Sequence, residues 1–247
     1  MTMLSQYPGI RVEGNEIVEV KDTIVVEDRF DLYLNDELLT RLVASDEHLR
    51  ELGAGFVVGE GLAGAVDSVQ VSGKEIRVYA EPTTSSEWVL KSSGGPGTSR
   101  TPKEIRSSLT IEPRDVVRMI KEIESEAWRK TGGVHCSVLF LEKDLVIRSS
   151  DVGRHNTYDK VLGFAVLNHI DVSRCVVGCT GRQPGGMVSK VANVGVPIIL
   201  SKAAATDKGI VMADQAGVTL VCFARGNRFT VYTHPHRISG IVPGVRS

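Results

Sequence analysis

Three short loops in the second half of the chain combine glycine, hydroxyl side chains and cations. They are Asp151-Val152-Gly153-Arg154-His155-Asn156, Cys179-Thr180-Gly181-Arg182 and Ser201-Lys202-Ala203-Ala204-Ala205-Thr206. Each follows a predicted strand and precedes a predicted helix, where free backbone N–H groups and the positive end of the helix dipole favour anions. The three loops together therefore predict an anion pocket. The alternative, well-formed turns with solvated charges, stays open for any single loop.

The expected contacts of this pocket are cations, hydroxyl groups and backbone donors from the three loops. Guanidinium groups bind phosphate in a forked geometry, and the lysine adds a further charge-assisted contact. His135 joins the set because neighbouring residues of a strand point to opposite faces, so it can face the pocket while Cys136 faces the core. The predicted binding residues are His135, Gly153, Arg154, His155, Asn156, Thr180, Gly181, Arg182, Ser201, Lys202 and Thr206.

Four cysteines could supply a nucleophile. Cys175 and Cys222 stand in apolar runs and are expected to be buried packing residues, whereas Cys136 and Cys179 adjoin the predicted pocket. A helix start and a neighbouring arginine lower a thiol pKa, so Cys179, close to Arg182, is the candidate reactive thiol. An inert, packed Cys179 is the alternative.

The second half alternates between helical and strand patterns, which predicts a central sheet with helices on both faces. Helices are predicted over 113–130, 155–168, 184–194 and 207–216, and strands over 134–141, 145–152, 175–178, 197–200, 218–223 and 228–232. The first half predicts strands in its first 35 residues, a helix capped by Asp46 and ending at Gly59 or Gly61, and a hairpin over 65–80.

The segment from Pro82 to Pro102 is rich in serine, threonine, glycine and proline and is expected to be an unpacked loop or linker. We place a domain boundary there, which gives a β-rich domain over 1–100 and an α/β domain over 101–247. Cysteine usage and the lack of a signal peptide or membrane span predict a reducing cytoplasm.

The 247-residue chain has a formal net charge of -1, which argues against nucleic-acid binding. The charge is unevenly spread: residues 1–60 hold five Lys/Arg against thirteen Asp/Glu, and residues 148–206 hold seven against three. The basic region contains the three loops. The oligomeric state stays open, a homodimer being one of the states the sequence allows.

Several runs together resemble the formate dehydrogenase accessory protein family, FdhD/NarQ. They are Thr131-Gly132-Gly133-Val134-His135, Gly153-Arg154-His155-Asn156 followed by Asp159-Lys160, Thr180-Gly181-Arg182, and the helix end from Phe56 to Gly61. The resemblance implies a cytidine deaminase-like, three-layer second half. It also implies that the chain binds the guanine dinucleotide form of the molybdenum (or tungsten) cofactor as cargo, and passes to it sulfur from a cysteine desulfurase for formate dehydrogenase.

Two departures limit what the resemblance implies. The helix starts that correspond to those of zinc deaminases carry His155-Asn156-Thr157 and Cys179-Thr180-Gly181-Arg182, without the proton-moving Glu and with one thiolate missing, so no tightly bound metal is expected. The loop that carries sulfur in the family, Cys-Gly-x-Cys-Gly, corresponds here to Ser93-Gly94-Gly95-Pro96-Gly97. Neither Ser93 nor Pro96 can form a persulfide.

The expected function is therefore that of an accessory protein that binds the cofactor, and whether the chain is itself a sulfurtransferase stays open. One rival is a degenerate enzyme of the deaminase fold that acts on a free nucleotide. Another is a scaffold that docks a partner through its acidic N-terminal region.

Overall fold

The computed structural model describes residues 3–83, 88–91, 95–98 and 104–241. The chain begins with a two-stranded antiparallel hairpin of β1 (Leu4–Glu13) and β2 (Glu16–Val25). The strands are ten residues each, longer than the short strands expected, and several of their large apolar side chains are exposed: Tyr7, Ile10, Val12, Ile17, Val18 and Ile24.

A four-stranded sheet and one helix form the rest of the first half. The sheet contains β3 (Asp28–Leu34), β4 (Glu37–Ala44), β5 (Ser68–Ser72) and β6 (Glu75–Tyr79) in the order β4-β3-β6-β5. Helix α1 (Leu49–Gly59) packs on it through apolar residues that include Leu52 and Phe56. The helix ends at Gly59 as predicted, but Asp46 is not its cap: the cap position is His48, in the left-handed conformation and without a side-chain cap bond.

The predicted unpacked loop holds a second, shorter hairpin of β7 (Trp88–Lys91) and β8 (Gly95–Thr98). The expectation that this segment forms no regular element is therefore wrong for these residues. Antiparallel pairing of the two strands satisfies backbone groups where composition alone suggested a linker. Ser93 lies outside the described residues, and Pro96 lies within β8.

The second half opens with a broken helix rather than the single helix predicted over 113–130. Helix α2 (Pro113–Met119) continues into a 3-10 turn (Ile120–Glu122), and a separate α3 (Glu126–Thr131) follows. The reason is local: the Ser125 hydroxyl accepts a hydrogen bond from the Trp128 backbone nitrogen at 3.1 Å, which caps a new helix start. The break places Glu124 between the two helices.

The centre of the second half is a six-stranded mixed sheet, whose strands in spatial order are β10 (Asp144–Asp151), β9 (His135–Leu141), β11 (Cys175–Cys179), β12 (Ile198–Ser201), β13 (Thr219–Arg225) and β14 (Arg228–Val231). Strands β11, β12 and β13 run parallel, and the other neighbours pair antiparallel. Three helices connect these strands, namely α4 (Arg154–Leu167) between β10 and β11, α5 (Gly185–Val194) between β11 and β12, and α6 (Asp207–Gln215) between β12 and β13.

Two apolar clusters, one on each face of the central sheet, make this half a three-layer structure. One includes buried residues of α4, α5 and α6, and the other includes Val116, Met119 and Ile123 from the α2 region. The α/β fold predicted from the sequence is confirmed. Among the described residues, no helix is both long and apolar enough to cross a membrane.

Helix α1 joins the two halves because it packs directly on α4. A Cβ atom on Gly55 would lie 1.8 Å from the Asp159 carbonyl oxygen, and one on Gly163 would lie 1.9 Å from the Glu51 carbonyl oxygen. Only glycine permits this approach of the two backbones. The first half keeps a separate apolar core, and the division into domains at residue 100 stays a prediction.

Two buried ion-pair groups reinforce this contact. Lys160 pairs with Asp151 at 2.6 Å with both side chains fully buried, and its ammonium also donates to the Ser45 carbonyl oxygen. Lys190 pairs with both Asp159 and Glu60. Two carboxylates thus face one ammonium, and burial raises the pKa of Asp159 to about 6 although Lys190 acts to lower it. The Asp159-Lys160 run thus contributes to the contact between the halves.

Candidate functional site

The three predicted loops and the start of β9 meet at one edge of the central sheet. Cys179 and Ser201, the last residues of β11 and β12, are register partners, and Asp151 at the end of β10 is opposite His135. The Lys202 backbone nitrogen donates to the Cys179 carbonyl oxygen, which ties the second loop to the third. The carboxyl ends of parallel strands gather at such an edge, as the sequence analysis expected.

A cavity of about 570 Å³ opens at this edge, which is within the usual range for small-molecule sites. Three of the predicted residues line it, namely His135, Thr180 and Lys202. The other lining residues were not predicted from the sequence as contacts: Glu124, Trp128, Gly132, Gly133, Val134, Val152, Arg225 and Gly226. Of these, Gly132 to Val134 stand in the glycine run that carries the family resemblance.

The cationic side of the cavity comes from Lys202 and Arg225. The Arg225 Nε atom donates to the Lys202 carbonyl oxygen at 2.7 Å, and the Lys202 ammonium pairs with a Glu124 carboxylate oxygen. Glu124 and Lys202 are both only about a quarter exposed, so water screens this pair less than a surface pair. Two cations against one carboxylate leave the cavity suited to an anion.

Arg154 and Arg182 lie beside this cavity but do not line it. Arg154 is half-buried at the start of α4, and a Cβ atom on Gly181 would lie 3.1 Å from its side chain, so the two loops pack together. Burial and then the charge of Arg182 lower the pKa of Arg154. Arg182 is exposed, two residues beyond Thr180. His155 is half-buried in the first turn of α4.

The His135 imidazole is held close to Thr180, whose hydroxyl oxygen lies 3.4 Å from Nδ1. The same hydroxyl accepts a hydrogen bond from the Cys136 backbone nitrogen. Burial, and then the charge of Arg154, lower the pKa of His135 below its ordinary value of 6.5. The imidazole is thus mainly neutral at pH 7 and offers the cavity a hydrogen-bonding group rather than a charge.

Several predicted binding residues make hydrogen bonds within the fold, and their expected roles in binding stay predictions. The Asn156 amide nitrogen donates to the Val43 carbonyl oxygen and to Asp151, the buried Ser201 hydroxyl donates to the Gly181 carbonyl oxygen, and the Thr206 hydroxyl caps α6. The Gly153 nitrogen donates to Asp151. These polar types favour ligand binding in isolation, but the fold uses them to hold its loops.

All four cysteines of the chain are buried, with at most 1% of their surface exposed. The Cys179 thiol is enclosed by Gln183, whose amide nitrogen lies 2.9 Å from Sγ, and by Tyr158 and Ser201, and burial raises its pKa. The predicted lowering of this pKa is therefore wrong, because desolvation outweighs the donors around the thiol. The role of Cys179 as a sulfur acceptor stays a prediction, and its burial counts against it.

The other thiols are no more accessible. Burial raises the pKa of Cys175 and of Cys222 to about 12 each, in keeping with the packing role predicted for them. Cys136 contacts the Ser125 and Ser150 hydroxyl groups in the interior. In the part of the chain that the structure describes, no three His, Cys, Asp or Glu side chains come together as a metal site would require.

A search of family models matches residues 25–239 to the FdhD/NarQ family. The chain belongs to this family. It is 31% identical to Protein FdhD of Methanocaldococcus jannaschii, over 94% of the chain and 97% of that protein. It is 32% identical to the sulfur carrier protein FdhD of Bacillus subtilis, over 92% of the chain and 95% of that protein.

Solved structures agree with this assignment. The chain matches a protein from Desulfotalea psychrophila, described as a formate dehydrogenase accessory protein, with a TM-score of 0.81 and 26% identity, over 96% of the chain and all of that structure. Membership of the FdhD/NarQ family, inferred from the glycine and Arg-His-Asn runs, is confirmed. The names of the relatives connect the family with formate dehydrogenase and with sulfur carriage.

Proposed function

We propose that the chain binds the guanine dinucleotide form of a molybdenum or tungsten pterin cofactor and delivers it to formate dehydrogenase. The observation that carries this proposal is the cavity edged by Lys202, Arg225, Thr180 and neutral His135. The diphosphate is the anionic part of this cofactor. A site for it requires cations and hydrogen-bond donors, without a nearby excess of carboxylates. Arg154 and Arg182 add positive charge from the adjoining loops.

The delivery that we propose involves no sulfur carried on this chain. A persulfide carrier needs a thiolate that a cysteine desulfurase can reach. The sequence has Ser93 and Pro96 where the family has cysteines, and the four cysteines that it does have are buried. A cysteine desulfurase would then donate sulfur to the cofactor by another route, before or after this chain holds it.

The remaining expectations fit this role. Four unpaired cysteines suit a reducing cytosol, where we place the protein. The homodimer stays a prediction, and so does the absence of a tightly bound metal.

Guanosine diphosphate should bind the chain with micromolar affinity that weakens as salt is added, because charge-assisted contacts dominate. Arg225→Ala removes a guanidinium that lines the cavity and should weaken this binding by about 1.5–3 kcal/mol. Isothermal titration calorimetry measures both effects. Arg114→Ala removes an exposed arginine on α2, away from the cavity, and is the matched control that should leave the affinity unchanged. Equal affinities for wild type and Arg225→Ala would remove Arg225 from the site.

A further inference from the structure

One wall of the cavity pairs a carboxylate with an aromatic ring. Glu124 lies in the break between the 3-10 turn and α3, and Trp128 lies one helical turn further on, so both side chains line the same cavity. Lys202 directly follows the C-terminal end of β12, and Arg225 is the last residue of β13. Carboxylate and indole thus come from one local segment, and the cations come from another.

The Glu124 carboxylate has capacity beyond its ion pair. One oxygen, Oε1, pairs with the Lys202 ammonium, and a carboxylate offers about four lone-pair positions on its two oxygens. The pairing holds the carboxylate at the cavity and neutralises its repulsion of an anion. Acceptors on Glu124 therefore remain for N–H donors of a ligand.

We propose that Glu124 is a specificity-determining residue that recognises the N1–H and 2-amino edge of guanine, with Trp128 as the surface on which the ring stacks. This inference rests on the proposed function. Two adjacent N–H donors match the two oxygens of a carboxylate, whereas adenine presents one donor beside an acceptor and hypoxanthine has N1–H alone. Aromatic side chains stack on any base, so the carboxylate supplies the selectivity.

The alternative role for Glu124 is that of a counterion which only orients Lys202. The two roles differ in one measurable quantity, the ratio of the affinities for guanosine and inosine diphosphates. The phosphates of the two ligands are identical, so any effect on Lys202 cancels from this ratio. The 2-amino group is the only difference, and only a group that contacts it can change the ratio.

The experiment measures guanosine and inosine diphosphate binding by calorimetry in the wild type, Glu124→Gln and Glu126→Gln. We expect the wild type to prefer guanosine diphosphate by about tenfold to a hundredfold, and Glu124→Gln to lose most of this preference. Glu126→Gln changes an exposed glutamate of α3 that pairs with Lys130, so it should keep the wild-type ratio. Inorganic pyrophosphate binding by Glu124→Gln verifies that the variant is folded and its cationic side intact.

Each result decides a separate point. A preference that Glu124→Gln retains in full overturns the assignment of Glu124 and leaves the proposed function standing. Should Glu124→Gln fail to bind pyrophosphate, Glu124→Asp, which keeps the charge on a shorter side chain, must show a reduced ratio for the assignment to hold. A wild-type chain that binds no guanosine diphosphate overturns both the assignment and the proposed function.

Discussion

Cysteines at positions 93 and 96, where the family resemblance implies them, should turn this chain into a sulfur acceptor. The double variant Ser93→Cys, Pro96→Cys creates the run Cys-Gly-Gly-Cys-Gly, and we expect it to accept about one persulfide per chain from a cysteine desulfurase with cysteine. The new thiolate attacks the terminal sulfur of the desulfurase persulfide. The S–S bond of that persulfide breaks, the desulfurase cysteine leaves as a thiolate, and the terminal sulfur becomes the outer sulfur of a persulfide on this chain. The wild type should remain essentially unmodified, since its four thiols are buried.

Peptide mass spectrometry after such an incubation locates each persulfide. Cys179→Ser is the control for the wild type. If Cys179 carries no sulfur, the two proteins show the same amount of persulfide after incubation. Robust loading of wild-type Cys179 or Cys136 would contradict the account, because it would mean that the pocket edge opens enough for a partner to reach a buried thiol.

Removal of the Lys160 ammonium should strongly destabilise the fold. Lys160→Met leaves Asp151 buried without its counterion and removes one of the two donors to the Ser45 carbonyl oxygen, the other being the Glu47 backbone nitrogen. Breaking one side of a buried pair costs about 3–5 kcal/mol, a large part of the free energy of unfolding of an ordinary domain. The contact between the two halves, where Ser45 and Asp151 meet, should loosen first.

Denaturant unfolding followed by circular dichroism measures this loss. Lys130→Met is the matched control, because Lys130 pairs with Glu126 on the surface and such a pair contributes only about 0–1 kcal/mol. The double variant Asp151→Asn, Lys160→Met should recover part of the loss, since it removes the uncompensated charge. A loss below about 1 kcal/mol for Lys160→Met would show that the buried pair does not hold the halves together.

The order of elements in the second half could be predicted because the spacing of apolar residues differs clearly between its strands and its helices. The loops at 151–156, 179–182 and 201–206 also lie at one sheet edge, as strand-to-helix alternation implied. The helix break at Ser125 was missed, although a serine before Glu126 and three residues before Trp128 is a recognisable cap. Without this break, Glu124 could not be placed at the cavity.

The sequence could not predict which polar side chains make hydrogen bonds within the fold and which are left for a ligand. Asn156, Ser201 and Thr206 have side chains typical of ligand contacts, yet each completes a hydrogen bond within the fold. The Glu124–Lys202 pair joins residues 78 positions apart, and no local pattern indicates such a contact. Cys179 shows the same limit: a helix start favours thiolate, but burial in the core opposes it, and burial depends on the whole fold.

The most direct test of the central claim is the cargo that the protein holds when it is purified from the cells that produce it naturally. Native mass spectrometry of the protein purified from that source, followed by nucleotide analysis after denaturation, should reveal a guanine dinucleotide pterin cofactor bound to the chain and no persulfide on its cysteines. A chain that releases no guanine nucleotide and carries a persulfide would contradict the account, because it would be a sulfur carrier without the proposed cargo.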